Sequence, residues 1–156
     1  MIYHPLKKLT GAGIQEILLV SGTEHMGDFV ELLGSGRTFG CNLTYRVQDE
    51  AGGIAQALGL AEHFARDARM VVILGDNIFQ DSLAPLLAES KPHPAHAWVA
   101  LKPSKRGELE ITDVNRHYLE KDRLGSTLLG GFWTDAGTHE SLLHANQLVR
   151  EHPPVY

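Results

Sequence analysis

The chain has 156 residues, of which 43% are hydrophobic and 21% charged, a composition typical of a globular protein with a substantial core. A formal net charge of −5 without a block of Lys or Arg argues against binding to nucleic acid, and no apolar run approaches the ~20 residues of a membrane span. The single cysteine, Cys41, excludes an internal disulfide, and the N-terminus lacks a signal pattern, so we expect a cytoplasmic protein.

Apolar runs alternate with segments of helical period, which predicts βα units around a parallel sheet. We expect strands at residues 16–21, 43–48, 70–74, 95–101 and 126–129. Helices are expected at residues 5–10, 26–33, 53–64, 82–89, 106–121 and 138–149. The predicted fold class is therefore α/β, with an open, mostly parallel sheet flanked by helices. Residues 1–156 are expected to form one domain, with a frayed tail at residues 151–156.

The most informative segment is residues 70–79, where five apolar residues end abruptly in Gly75, Asp76 and Asn77. Such a run predicts a central strand buried on both faces. Ligands of open α/β sheets bind beyond the carboxyl ends of the strands, which is where Asp76 is expected. Gly75 would let the backbone pass close to a bound molecule. We therefore predict a metal-binding or catalytic role for Asp76.

A second carboxylate, Asp135, follows another predicted strand and precedes the last predicted helix. One crevice could hold Asp76 and Asp135 together, and Mg²⁺ is commonly bound by one or two carboxylates plus substrate phosphates. The pair is therefore predicted to share one Mg²⁺. The alternative is that Asp135 only caps the following helix, a position where Asp is favoured.

A third candidate is the turn at residues 48–56, which contains Gly52 and Gly53 and leads into a helix. Gln48 offers a donor and an acceptor to a base, and backbone N–H groups at a helix start bind polar edges. Taken alone, the turn is better explained as a flexible connection that leads into a helix. Phosphate-loop, zinc and nucleophile-elbow patterns are all missing from the sequence.

Several strings occur in an order that closely resembles the bacterial glucose-1-phosphate thymidylyltransferases. They are residues 1–6 (Met-Ile-Tyr-His-Pro-Leu), 12–18 (Ala-Gly-Ile-Gln-Glu-Ile-Leu), 52–57 (Gly-Gly-Ile-Ala-Gln-Ala), 74–79 (Leu-Gly-Asp-Asn-Ile-Phe), 106–115 (Arg-Gly-Glu-Leu-Glu-Ile-Thr-Asp-Val-Asn) and 135–139 (Asp-Ala-Gly-Thr-His). These sugar-nucleotide pyrophosphorylases open dTDP-rhamnose synthesis, and the resemblance covers nearly the whole chain.

The resemblance implies a Rossmann-like three-layer fold that transfers a thymidylyl group from dTTP to glucose 1-phosphate and releases pyrophosphate. It implies that Asp76 and Asp135 bind Mg²⁺ as the catalytic aspartates and that Gln48 and Gly53 recognise the thymine base. It also implies a homo-oligomer with small-molecule substrates.

Two elements of the family have no counterpart in this sequence. One is a first strand with a glycine-rich, arginine-bearing loop that cradles the triphosphate, upstream of the Met-Ile-Tyr string. The other is a central segment between residues 101 and 102, with Tyr-Gly and Glu-Lys-Pro elements that hold the sugar phosphate. We therefore expect a shortened nucleotidyltransferase with low activity. The alternative is a non-catalytic nucleotide-binding or assembly module that keeps part of the base site.

Overall fold

The computed structural model of the chain describes residues 1–50, 52–66, 68–90, 97–101 and 112–156. The helices in this part of the chain are α1 Tyr3–Gly11, α2 Thr23–Leu33, α3 Gly53–Leu60, α4 Glu62–Ala65, α5 Leu83–Ser90, α6 Thr112–Glu120 and α7 His139–Glu151, with a 3-10 turn at Arg37–Phe39. The strands are β1 Glu16–Gly22, β2 Asn42–Gln48, β3 Asn77–Phe79, β4 Ala97–Leu101, β5 Leu124–Leu128 and β6 Trp133–Asp135.

The described strands form three pairs. Strand β1 is parallel to β2, with Glu16 opposite Asn42, and β4 is parallel to β5. Strand β3 is antiparallel to β6. Helices separate the parallel strands in sequence, as βα crossovers require. The α/β class and the parallel pairing are therefore confirmed, although the described strands do not join into one continuous sheet.

Buried apolar residues of the described part of the chain lie in three groups. The largest joins α1, β1 and α2 through Leu6, Ile17, Leu19, Met26 and Leu33. A second joins β3 to α7 through Ile78, Ala136 and Ala145, and a third places Phe79, Leu83 and Leu129 together. The second group fixes the start of α7 against β3 and β6, and so sets the position of Asp135.

The prediction of a buried strand at residues 70–74 was wrong. The structure gives that segment no strand, and Met70, Val72 and Leu74 are 48%, 51% and 40% exposed. Residues of β1 and residues 70–75 line the same cavity. An extended segment becomes a strand only when a neighbour completes its hydrogen-bond ladder, and residues 70–74 have no such neighbour among the described residues. The first strand after the apolar run is the short β3. It begins after Asp76, whereas we expected a strand that ends before Asp76.

The other boundaries differ less from the predictions. The expected helix at residues 53–64 divides into α3 and α4, and β5 lies two residues earlier than expected. The first residues of the predicted strand 95–101 and helix 106–121 fall outside the described part of the chain, and β4 and α6 cover the rest.

The tail, for which fraying was predicted, is docked in the structure. The backbone N–H of Val155 donates to the Gln80 carbonyl at 2.8 Å, and the Lys8 ammonium donates to the Val155 carbonyl at 2.6 Å. The ring of Tyr156 packs on His4 at a centroid distance of 5.8 Å. These contacts offset the polar, proline-rich composition on which the prediction of fraying depended. Among the described helices, none has the length and hydropathy needed to cross a membrane.

Candidate nucleotide and metal site

The two predicted metal ligands lie at the same end of the β3–β6 pair. Asn77 is opposite Asp135 in the antiparallel register, and the backbone N–H of Ala136 donates to the Asp76 carbonyl at 2.8 Å. At the other end, the Gln80 N–H donates to the Phe132 carbonyl at 2.9 Å. We call residues 76–80 and 132–136 the aspartate ribbon. Asp76 therefore precedes its strand whereas Asp135 ends its own, which corrects the expectation that both follow strands.

The side chain of Asn77 binds one of the two aspartates, and Asn77 lies opposite the other in the strand register. Directly opposed residues of an antiparallel pair place their side chains on the same face, so Asn77 and Asp135 are neighbours there. The Asn77 amide donates to Asp76 Oδ1 at 2.9 Å. Strict alternation of side chains along an extended chain would place Asp76 on the face opposite Asn77. The Asp76 carboxylate is instead turned toward the Asn77 side chain. The structure in this way brings both carboxylates next to one side chain.

A second contact orients this group from outside. The indole N–H of Trp133 donates to Asn77 Oδ1 at 3.0 Å, which leaves the Asn77 amide nitrogen to face Asp76. Sequence reasoning overlooked both Asn77 and Trp133. The available signals were the amide directly after Asp76 and a tryptophan two positions before Asp135, on the same strand face.

Helix capping does not explain Asp135. The N-cap of α7 is Thr138, whose hydroxyl accepts from the Ser141 N–H at 3.1 Å, while the Ser141 hydroxyl accepts from the Thr138 N–H. This reciprocal pair satisfies the free N–H groups at the helix start without a carboxylate. Asp135, three residues earlier and exposed, is left available for another role.

The donor set at the aspartate ribbon fits a magnesium ion that is bound together with phosphate. Among the described residues no group of three or more His, Cys, Asp or Glu side chains is placed to hold a metal. Mg²⁺ usually keeps several waters and takes one or two protein carboxylates plus substrate phosphates, so two aspartates are sufficient. Gly137 leaves space beside them, because a Cβ there would lie 3.3 Å from Asp76 Oδ2.

The predicted base-binding turn is held by side-chain hydrogen bonds. Gln48 Nε2 donates to Gln56 Oε1 at 2.6 Å and to the Gly53 carbonyl at 3.2 Å, and the Gly52 N–H donates to Gln56 Oε1 at 3.1 Å. Gly53 has a φ of 81°, a left-handed conformation that favours glycine. Gln56 thus fixes the turn that Gln48 and Gly53 form.

One cavity of about 1500 Å³ extends from the turn to Gly75, the residue before Asp76. Gln48 and Gly53 line it, and so do β1 and residues 70–75, the last of which is Gly75. The nearest atom to a Cβ added at Gly75 is Ile2 Cδ1 at 3.9 Å, so packing within the protein does not require glycine there. Asp76 follows directly. Three of the five predicted site residues therefore line one cavity, and Asp76 is at its rim.

Cys41, by contrast, is not a candidate nucleophile. It is 4% exposed, and burial, with a smaller contribution from the Glu16 carboxylate, raises the pKa of its thiol. A buried thiol of raised pKa is inert.

Comparison with known proteins identifies the family. A sequence model described as nucleotidyl transferase matches residues 1–102 and 95–152. The chain belongs to this family. The two matched segments meet at residues 95–102, which is where the sequence predicts the loss of a central segment.

Similar nucleotidyltransferases include enzymes of the predicted kind. The chain is 34% identical to a glucose-1-phosphate thymidylyltransferase of Neisseria meningitidis, over 96% of this chain and 72% of the relative. It is 32% identical to the Mycobacterium tuberculosis enzyme of that name, over 96% of this chain and 71% of the relative. Both alignments extend over 206 residues, more than the 156 of this chain, so the relatives contain residues with no counterpart here.

A solved structure has the same fold. A crystal structure from Bacillus anthracis, described as a glucose-1-phosphate thymidylyltransferase in complex with sucrose, superposes with a TM-score of 0.87 at 42% identity. The superposition covers 96% of this chain and 82% of that one. The predicted resemblance and nucleotidyltransferase-type fold are therefore confirmed.

Proposed function

We propose that this nucleotidyltransferase binds dTTP with Mg²⁺ and transfers its thymidylyl group to glucose 1-phosphate, releasing pyrophosphate, at a low rate. The observation that supports this most directly is the continuity of the site. One cavity connects Gln48 and Gly53 to Gly75. Asp76 follows Gly75, and its carbonyl accepts from the N–H of Ala136, the residue after Asp135.

In this proposal the base is recognised at the 48–56 turn. Thymine presents an N–H donor flanked by carbonyl acceptors. The Gln48 amide nitrogen already donates to Gln56 and to the Gly53 carbonyl, so Gln48 Oε1 is the atom that would accept from the thymine N–H. The position of Gln56 is set in turn by Gly52. Gln48 is thus held in one orientation before the nucleotide arrives, which lowers the entropy cost of binding.

The aspartates would hold the metal. Asp76 and Asp135 supply two carboxylate ligands, and Asn77 and Trp133 fix the orientation of Asp76. When bound, Mg²⁺ would draw charge from the phosphates and favour attack by the sugar phosphate oxygen on the α-phosphorus. The residues of the chain bind and orient the reactants, which is most of what catalysis of phosphoryl transfer requires.

The low rate follows from a cation that the central part of the sequence lacks. The Glu-Lys-Pro element that the resemblance leads us to expect for the sugar phosphate is not present between residues 101 and 102. Removal of one group that stabilises transition-state charge commonly costs about 10²–10³ in rate. Turnover well below the 1–10³ per second that is typical of enzymes is therefore expected, on the order of 10⁻² per second or less.

The test is a pyrophosphate-release assay with dTTP, glucose 1-phosphate and Mg²⁺. We expect slow release that depends on both substrates and disappears in Asp76→Asn and Asp135→Asn. Asp28→Asn, which removes an exposed carboxylate on α2, is the matched control and should match the wild type. Release that is unchanged in Asp76→Asn would contradict the proposed role of the aspartates. Turnover of 1 per second or more would contradict the expected low rate.

A second candidate is a non-catalytic module that binds thymidine nucleotides. Its support is that the base turn and the aspartates are present whereas the central Glu-Lys-Pro element is not. Under this alternative dTTP binds with Mg²⁺, but no pyrophosphate is released even over hours with the enzyme in excess of substrate.

A further inference from the structure

One edge of strand β3 has no strand beside it among the described residues, because β3 pairs only with β6. A two-stranded ribbon of three residues is not stable alone in water. The backbone groups along the open edge also need hydrogen-bond partners, since the Ile78 and Phe79 side chains are buried. Groups from outside the ribbon must therefore occupy that edge.

Two side chains of α1 bind the backbone at the end of β3 and just after it. The Phe79 N–H donates to His4 Nε2 at 3.1 Å, and the Lys8 ammonium donates to the Gln80 and Asp81 carbonyls at 2.9 and 2.7 Å. His4 and Lys8 are four residues apart, so they lie on the same face of the helix. One accepts and the other donates, as the neighbouring strand would.

The surroundings match these two roles. Lys8 is 1% exposed, its third donor binds the Val155 carbonyl, and its ammonium lies 4.7 Å from the centre of the Phe79 ring. An ammonium has three N–H donors, and all three are used here on backbone carbonyls. Burial lowers the pKa of Lys8 to about 8, which the Asp81 carboxylate opposes, so the group is a cation at pH 7. Burial lowers the pKa of His4 to about 4, which keeps the ring neutral and Nε2 able to accept.

Residues 79–81, which His4 and Lys8 bind, are connected directly to the rest of the aspartate ribbon. Asp81 Oδ2 accepts from the Gly131 N–H at 2.9 Å, and the Gln80 N–H donates to the Phe132 carbonyl. A Cβ on Gly131 would lie 2.6 Å from the Gln80 Cβ, so the two chains pack closely at this end. Asp76 is only about 10 Å away along β3, at 3.3 Å per residue.

We propose that His4 and Lys8 are positioning residues of the aspartate ribbon. From one face of α1 they fix the backbone of residues 79–81, and so hold Asp76 in place beside Asp135. The effect on metal affinity rests on the function proposed above for the two aspartates. The effect on the ribbon geometry does not.

The test compares Lys8→Met with Lys7→Met. Both variants remove one positive charge from α1, but Lys7 is exposed whereas Lys8 is buried against β3. The local reporter is the indole N–H resonance of Trp133, which is hydrogen-bonded to Asn77 and is assigned with Trp133→Phe. A second reporter is hydrogen exchange at the Ala136 amide, which donates to the Asp76 carbonyl. Affinity for Mn²⁺, a paramagnetic substitute for Mg²⁺, is measured at the same temperature, well below unfolding.

We expect Lys8→Met to shift the Trp133 indole resonance, to speed exchange at Ala136 and to weaken Mn²⁺ binding about 10-fold or more, as loss of an orienting contact does. Lys7→Met should change none of these. If Lys8→Met melts at a lower temperature but leaves the indole resonance and Ala136 exchange unchanged, Lys8 only stabilises the fold and the proposal is wrong.

Two further outcomes separate this proposal from the proposed function. If the two ribbon reporters change while Mn²⁺ affinity does not, the positioning role is supported and the metal role of the aspartates fails. If Lys8→Met does not fold, His4→Phe removes the acceptor of the Phe79 N–H but keeps an aromatic ring against Phe79. The Trp133 indole resonance and hydrogen exchange at the Ala136 amide are then measured in His4→Phe. Values unchanged from the wild type would contradict the proposal.

Discussion

Single carboxylates carry the proposed metal chemistry at the aspartate ribbon. Asp76→Asn keeps an oxygen that can accept from the Asn77 amide, so the ribbon should remain folded. It removes a negative charge from the proposed ligand set, and we expect Mn²⁺ affinity to fall about 10-fold or more. Titration followed by electron paramagnetic resonance measures the free ion. Asp28→Asn should bind Mn²⁺ as the wild type does, and equal affinity in Asp76→Asn would exclude Asp76 as a ligand.

The neutral state of His4 makes stability depend on pH. Desolvation by burial is the main cause that lowers its pKa from 6.5 to about 4, and the Lys8 ammonium and the N-terminal amine add to it. Between these two values the unfolded chain binds a proton that the folded chain does not. The contribution of His4 is therefore fully present above pH 6.5 and is lost as the pH falls toward 4, by up to about 3 kcal/mol.

Urea unfolding of His4→Gln at pH 7 and pH 4.5 tests this dependence. The glutamine oxygen can still accept from the Phe79 N–H but does not titrate in this range. The variant should lose less free energy of unfolding than the wild type between the two pH values. His25→Gln, at an exposed site on α2, should behave as the wild type does. A pH dependence of His4→Gln equal to that of the wild type would contradict the buried, neutral state of His4.

At the scale of elements, the C-terminal tail is packed against α1. A Cβ added at Gly11 would lie 2.6 Å from the carbonyl carbon of Tyr156, so Gly11→Ala must displace the tail. We expect a loss of about 1–3 kcal/mol in the free energy of unfolding, as for other overpacked sites. Carboxypeptidase should also remove the last residues faster.

Gly27→Ala is the matched control for that change, because a Cβ at this position in α2 meets nothing within 4 Å. It should stabilise the chain by roughly 0.5–1 kcal/mol and leave the tail resistant. Equal resistance of the tail in Gly11→Ala would mean that the tail is not docked at this position.

Local patterns predicted the elements that depend on local interactions. The helical period of residues 82–89 predicts α5, and the glycines after residue 10 predict the end of α1. The alternation of apolar and polar residues at positions 43–48 predicts β2. Each of these follows from side chains within one turn or one strand.

Elements that depend on distant partners were not predicted. The run at residues 70–74 has a strand composition but no neighbour, whereas Trp133–Asp135 forms a strand only because Asn77–Phe79 lies beside it. The sequence predicted that Asp76 and Asp135 share one site, which stays a prediction. It could not show that Asn77 lies opposite Asp135, because an antiparallel register is not visible in either segment alone.

At the scale of the whole molecule, the cavity between β1 and residues 70–75 leaves apolar surface uncovered. Met70, Val72 and Leu74 are all 40% or more exposed there, and the outer edge of β1 is unpaired among the described residues. Exposed edges and apolar patches favour association. We propose that the chain forms homo-oligomers that cover Met70, Val72 and Leu74, while the cavity at Gln48 and Gly53 stays open to the nucleotide.

Light scattering coupled to size-exclusion chromatography tests the association. Val72→Lys should weaken it, whereas Val30→Lys, at a site of similar exposure on α2, should not. A wild-type chain that remains monomeric at high concentration would contradict the proposed oligomer.

The most direct test of the nucleotide–metal site is calorimetric titration of the chain with dTTP, in Mg²⁺ and again in EDTA. If the turn at Gln48 and the aspartate ribbon form one site, dTTP binds in Mg²⁺ and binds at least about 10-fold more weakly in EDTA, and Asp76→Asn shows little difference between the two conditions. Binding of dTTP that is equally strong with and without Mg²⁺, or no binding in either condition, would contradict that site.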